Sequence, residues 1–452
     1  RSTLSSSSAA SDVYKRQSQD YPNFRPTLDF NFAAEKKLDP RITYFRTGPA
    51  SYVNEFGKVV LVGDNQPRFD YDPITRECKG ILIESSRTNV AESSEDFGNT
   101  SFWAPSGQTV TTNVATAPDG TLTADNVVPT AASAAARYLY FSASPYPMSA
   151  SASYTTSIFV KKNGLRYFAL QAADNGSGSG LRAGFDLDTG TVVASANVFG
   201  SASGPSASIV EFPNGWFRCI LTGTSASGSS TGRTAFSFSS ALDSNASVGA
   251  ITADGTNGGY VWGHQVEAGA FETSYIPTTS GTEETRGVDI ALIDGEELSE
   301  FYNPVESTIV VNYTHPNGVT SSNLGGSARL YRFRAVGGSD TRIDYVSNTN
   351  NEPYIMADGT NVANISNGQS TVFGGGVNRT AVRVKENSFA SSFNGSSAVE
   401  DTSGAWNPTN AITEVALGSE SNSGGNPLNG HIQRFMYYST GLPNSQLKTL
   451  TS

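Results

Sequence analysis

The chain has 452 residues, with 30 Lys and Arg against 41 Asp and Glu and a formal net charge of −11. That length predicts two or three domains, each large enough for a core, and the acidic balance offers no basic field to a phosphate backbone, so nucleic acid is not an expected partner. With 2 Cys and 3 His the chain lacks material for a disulfide framework or histidine-rich metal sites, and no apolar run reaches the roughly 18 residues that span a membrane.

Residues 1–22 open as RSTLSSSSAASDVYKRQSQD, Ser-rich and without hydrophobic period. They are read as a disordered tail or as translated adapter sequence standing where the true start would be. From 23 to 92 the texture is that of a small β-rich module. TLDFNF (27–32) alternates as a half-buried strand does, and ITYFR (42–46) follows. SYVNEFGKVVLVG (51–63) reads as a hairpin, and PRFDYDPITRECKGILIE (67–84) carries a turn at Asp72-Pro73 before a short buried strand, Ile81-Leu82-Ile83. This block is too small and polar for much core of its own and is expected to pack against the domain next to it in the chain.

Residues 93–285 read as a β-sandwich or jelly roll. Its expected strands are 137–141, 154–161, 166–172, 182–187, 191–194, 216–222, 234–239 and 259–267, separated by Gly, Ser, Thr and Asn loops. Asn163-Gly164 is the expected turn of a hairpin over 157–171. A Thr-rich connection over 273–289 leads into a second all-β unit, 286–452. Its expected strands are 307–313, 328–335, 342–346, 353–357, 379–385, 388–393, 413–417 and 430–438, with a helical turn at 444–450.

Three stretches carry a family resemblance. Residues 38–57 and 67–97, above all Arg-Phe-Asp-Tyr-Asp-Pro (68–73) and Glu-x-x-Arg-Thr-Asn (84–89), resemble a module of bacteriophage tail-fibre and head-spike-fibre proteins. FPNGWFRCILTGT (212–224) and residues 259–286 are similar to the jelly roll that follows it, of carbohydrate-binding-module type. VRVKENSFASSFNG (382–395) and GHIQRFMYYSTGLPNSQLKTL (430–450) resemble the concanavalin A-like, laminin-G-like sandwich. The resemblance implies an all-β virion appendage of tandem sandwiches, assembled in the host cytoplasm, displayed outside the cell and trimeric as such fibres commonly are. Its partners would be other virion proteins and host cell-surface polysaccharide.

Candidate chemistry is sparse. Asp188-Thr189-Gly190 spells an aspartic-protease triplet without a second copy, and reads as a turn. Gly228-Ser229-Ser230-Thr231-Gly232 fits a nucleophile elbow but lies in a low-complexity loop. His264, His315 and His431 have no neighbours at metal-ligand spacing. No cofactor is assigned: laminin-G-like folds often bind calcium, and Asp340, Asp344, Asp358 and Asp401 fall near loops, but no dense ligand loop is visible. Flat rings beside polar groups suit sugars. Trp103 and Trp406, in the polar segments NTSFWAPSG and SGAWNPTN, are the expected exposed stacking residues, with Tyr138, Tyr140 and Tyr167 on a sheet face. The expected function is non-catalytic binding of host surface glycans. The alternatives are a polysaccharide depolymerase on a concanavalin-like fold, which needs a carboxylate pair across a cleft, and a purely structural decoration of the particle.

Overall fold

The computed structural model describes residues 24–452 apart from 142–144, 176–177, 280, 316–318, 321, 325–327, 338–339, 348–350, 369–370 and 372–374. The expected tail, 1–22, lies outside the described residues. The fold is all-β, two sandwiches in tandem. In the first, sheet I runs Ser203–Phe212, Trp216–Thr224, Ser153–Asn163, Gly258–Ala268, Ala124–Pro129, Gln108–Ala115 in hydrogen-bonded order. Sheet II runs Thr191–Phe199, Gly180–Asp186, Tyr167–Asp174, Thr231–Ser239, Tyr138–Phe141, Trp103–Ser106. Alternate residues of the two sheets, among them Ile158, Val160, Leu221 and Val261 against Phe168, Leu170, Phe185 and Phe236, fill one core.

The hairpin expected at Asn163-Gly164 does not form. Ser153–Asn163 pairs with Trp216–Thr224 and Gly258–Ala268 in sheet I, whereas Tyr167–Asp174 pairs with Gly180–Asp186 and Thr231–Ser239 in sheet II. Gly164, at φ +95°, therefore turns an arch between sheets. Both strands are apolar on the core side and each has two strand neighbours, so a central place in separate sheets buries more than pairing with each other would.

The second sandwich packs sheet III on sheet IV. Sheet III is ordered Val399–Asp401, Phe389–Phe393, Asn378–Lys385, Glu306–Thr314, Gly430–Tyr438, Cys78–Ile83, Phe69–Tyr71. Sheet IV is ordered Thr43–Phe45, Ile290–Asp294, Glu414–Leu417, Arg329–Arg334, Arg342–Val346, Glu352–Ala357, Thr360–Asn364. The segment 23–92, expected as a small module beside the jelly roll, is thus woven into the C-terminal sandwich. Ile81 and Ile83 pair with Ile432 and Gly430, and Leu28 and Phe30 continue along the same strand edge opposite Tyr437 and Phe435. Thr43–Phe45 caps the other sheet through Ile290–Leu292. Leu28, Phe30, Phe32, Ile42, Ile81 and Ile83 are buried in the C-terminal core. A stretch too polar to build a core has completed another one, and the helix Asn444–Thr451 closes the far side through Leu447.

Where the three parts meet, buried ions replace apolar packing. Arg68 donates to Glu84 at 2.7 Å and to Asp289 at 2.5 Å, Arg286 lies 3.2 Å from Glu84, and Arg46 lies 3.8 Å from Asp289. Asp289 also accepts from the Glu84 amide at 2.7 Å and from the Tyr44 hydroxyl. Burial opposes the Glu84 charge, but Arg286, Arg68 and two hydrogen bonds from Ser274 outweigh it and hold the carboxyl far below its usual range. Asn89 ties the first sandwich to this knot, donating to the carbonyls of His264 and Ile276 and accepting from the amides of Ala91 and Val266. Arg68, Glu84 and Asn89 belong to the two motifs that carry the fibre resemblance, and their work here is to join the parts.

Candidate functional site

Sheet I has a second buried face. Phe159 stands opposite Arg218 on one neighbouring strand and opposite Trp262 on the other, all pointing away from sheet II. There Phe159, Phe212, Trp216, Trp262 and Tyr275 pack with Val59 of the hairpin Ala50–Val53/Val59–Val62, which lies over them. Beside this aromatic patch opens a cavity of about 500 Å³. Its walls come from the hairpin (Tyr52, Val53), the segment 70–84 (Asp70, Tyr71, Lys79), the first sandwich (Phe159, Arg218, Glu272) and the second (Thr314, His431). Exposed Thr75 and Glu77 line its mouth.

Its polar groups differ in how far they are already engaged. Asp70 accepts from His431 Nε2 at 2.9 Å and from the Val53 amide at 2.7 Å, and His431 Nδ1 contacts Thr314 Oγ1 at 3.3 Å. Burial pushes the Asp70 carboxyl up, but His431 and Lys79 overcome it, so it stays below the usual range and ionised. His315 is fully buried against Ser347 Oγ at 2.9 Å, and burial pushes it down to about 4, so it is neutral at pH 7. Arg218, 8% exposed, hydrogen-bonds Ser157 Oγ through Nε at 3.2 Å and Nη2 at 2.9 Å, and its guanidinium lies 5.4 Å from the Phe159 ring centre. Burial lowers its pKa, with Glu272 and Glu267 opposing. Burial likewise pushes Glu272 up to about 7 despite Arg218, so this carboxyl holds a proton part of the time at neutral pH.

The expected stacking tryptophans are not exposed. Trp103 is fully buried among Phe97, Phe141, Phe236 and His264, with Nε1 donating to the Ser93 carbonyl at 3.1 Å. Trp406 belongs to the C-terminal core and donates to the Pro304 carbonyl at 2.9 Å. In both cases polar neighbours mark a loop that its one large apolar residue pins to the core, and neither ring can meet a sugar. Tyr138 and Tyr140 are half-buried with ring centres 5.5 Å apart, and strand register puts them and Tyr167 on the same, outward face of sheet II. That face is remote from the cavity, which faces sheet I. Arg218 was the cavity's one legible signal: an arginine in the middle of the apolar strand WFRCILTGT.

The remaining motifs resolve structurally. Asp188-Thr189-Gly190 turns between Gly180–Asp186 and Thr191–Phe199. Ser230 is followed by the strand Thr231–Ser239 and not by the helix an elbow requires. Asp344 is paired with Arg329 and Arg332, and Asp358 accepts from Thr409 and Asn410. Among the described residues no group of three or more His, Cys, Asp or Glu is placed to hold a metal. Both cysteines are free, Cys78 at the cavity wall and Cys219 in the core.

Fold and cavity together define the class: an all-β protein of tandem sandwiches with a ligand-sized cleft at their junction. No protein-family model matches the chain, and no curated protein matches it. Among solved structures, the CBM40 of a Ruminococcus gnavus IT-sialidase, bound to α2,3-sialyllactose, is 17% identical over 33% of this chain and 83% of its own, with a TM-score of 0.27. A leech intramolecular trans-sialidase is 14% identical over 33% of this chain and 23% of its own, TM-score 0.24. A Trypanosoma rangeli sialidase in complex with sialic acid is 10% identical over 73% of this chain and 60% of its own, TM-score 0.29. The chain spans less than two thirds of the length of both sialidases. Sialidases are enzymes, and with these as its neighbours the expectation of a chain that is not an enzyme is withdrawn.

Proposed function

We propose that the chain binds a host surface glycan in the cavity at the sandwich junction, as part of a bacteriophage virion appendage, a tail fibre or head spike fibre. The observation that carries the glycan reading is the lining. The half-buried Tyr52 supplies a flat ring, while Arg218, Glu272, Asp70 and Lys79 converge on the same space with hydrogen-bonding groups. A sugar presents C–H faces and hydroxyls in just that combination. The virion reading rests on the fibre-like motifs at 68–73 and 84–89. In that setting the chain is displayed on the particle, assembled with other virion proteins as a trimer, and gains avidity from several copies.

The test is retention of the full chain and of Tyr52→Ala on an array of bacterial surface polysaccharides, with released sugar followed on the same spots. Tyr52 is half-buried at the cavity wall, and losing one stacking ring should weaken binding by about three- to tenfold. Silence of the folded protein across the array would reject the glycan reading. Binding insensitive to Tyr52→Ala would move the site elsewhere. Sugar release would show that binding is coupled to catalysis.

A further inference from the structure

Resting on the glycan reading of this cavity, we infer that its ligand carries a carboxylate, and that this group seats on the guanidinium of Arg218. Among the described residues five arginines are buried: Arg46, Arg68, Arg218, Arg286 and Arg383. Four of them face an acid of the chain, Arg46 and Arg68 at Asp289, Arg68 and Arg286 at Glu84, and Arg383 at Glu400. Among the described residues Arg218 alone of the five has no ion pair, and one hydroxyl, that of Ser157, is its only side-chain hydrogen-bond acceptor. The carboxyls that act on it electrostatically, Glu272 first, make no ion pair with it, and a buried guanidinium without a bonded counter-charge is disfavoured. This one borders a cavity large enough for a sugar unit.

The chemistry of the complement follows from the residue. Arginine presents a planar fork that matches a carboxylate or phosphate with two parallel hydrogen bonds. Between these, the cavity favours the single negative charge. Asp70, Asp72, Glu77 and Glu272 also line it, so a dianionic phosphate monoester would meet far more repulsion than one carboxylate, and the singly charged phosphodiester of poly(glycerol phosphate) is the alternative that the experiment includes. The nearby acids other than Glu272 are occupied. Glu84 is held by Arg68 and Arg286, and Glu267 accepts from Gln265 and Thr273 and lies 3.6 Å from Arg87. The substrate class is therefore an acidic glycan, built with uronic or other carboxylated sugars.

The experiment prints acidic bacterial polysaccharides in native and carboxyl-reduced form on adjoining spots, with poly(glycerol phosphate) beside them. The full chain, Arg218→Met and Arg218→Lys are compared, each with its denaturation midpoint. The expected result is at least tenfold tighter retention on a native acidic glycan than on its reduced form. Arg218→Met should abolish that preference, and Arg218→Lys should restore part of it. Because no acid pairs with Arg218, Arg218→Met should leave the midpoint unchanged or raise it. Equal binding of native and reduced glycan would overturn this inference and leave the glycan reading standing. So would a preference surviving Arg218→Met, tighter binding to poly(glycerol phosphate), or a fall in the midpoint, which would mark the guanidinium as structural. Failure of the folded chain to bind any spot would overturn both readings.

Discussion

Asp289 is the acid on which the junction of the three parts depends, and Asp289→Ala tests that account. Three guanidiniums, Arg46, Arg68 and Arg286, share two carboxylates, Glu84 and Asp289, all buried. Removing Asp289 leaves three buried cations with one acid, and strips the Glu84 amide and the Tyr44 hydroxyl of their acceptor. Breaking a buried pair from one side costs about 3–5 kcal/mol. For a cooperative unit of about 150–250 residues, such as one sandwich, at about 2–4 °C per kcal/mol, the melting temperature should fall by roughly 6–20 °C. The assay is guanidinium denaturation and calorimetry of the full chain, repeated for Arg68→Met and for the double variant. Because the double variant removes both buried charges together, its loss should be well below the sum of the single losses. A loss under about 1 kcal/mol for Asp289→Ala, or strict additivity, would refute the claim that these charges depend on one another.

Three further outcomes follow from burial and backbone geometry. Among the described residues neither ring nitrogen of His264 has a hydrogen-bond partner, and burial pushes its pKa down to about 3 from 6.5. Between those values the unfolded chain binds a proton that the folded one refuses, so this residue costs stability as pH falls below about 6.5. The advantage of His264→Phe over wild type should therefore grow by ~2 kcal/mol from pH 7 to pH 5, and a pH-independent difference would contradict it. Gly80 sits at φ +94° with the Ile432 carbonyl oxygen 2.1 Å from where a Cβ would lie. Gly80→Ala should cost at least ~1–2 kcal/mol and speed amide exchange over 430–432, where Cys78–Ile83 pairs with the last strand. Trp103→Ala should lower stability by about 3–5 kcal/mol, seen by denaturation, with no selective loss of glycan binding in whatever remains folded. Normal stability with lost binding would restore Trp103 as a contact residue.

The strand pattern was written locally, because alternation and apolar runs need no partner to be read. Arg342–Val346 and Gly430–Tyr438 stand at the residues that alternation marks, and the terminal helix falls where NSQLKTL marks it. Several strands left no such mark, and two of them show why. Gln108–Ala115 and Ser203–Phe212 are sheet edges with largely exposed side chains, and their polar sequences look like loop. What periodicity cannot carry is which strand a strand will meet. The apolar runs on either side of Asn163-Gly164 suit a hairpin and an arch equally, and only burial on two sheets chose the arch. Leu28–Phe30 and Cys78–Ile83 needed a core, and the one with a free edge lay roughly 350 to 410 residues later on the strand Gly430–Tyr438. The cavity exists for the same reason: Tyr52, Asp70, Arg218, Glu272 and His431 are far apart in sequence and meet only because the N-terminal strands are paired with the C-terminal sheet. The sequence alone held the all-β class, most strand positions and one arginine out of place in an apolar strand. Tertiary pairing buried the two expected tryptophans and placed that arginine at the edge of a cavity, because exposure is a property of what packs on a residue and not of its neighbours in the chain.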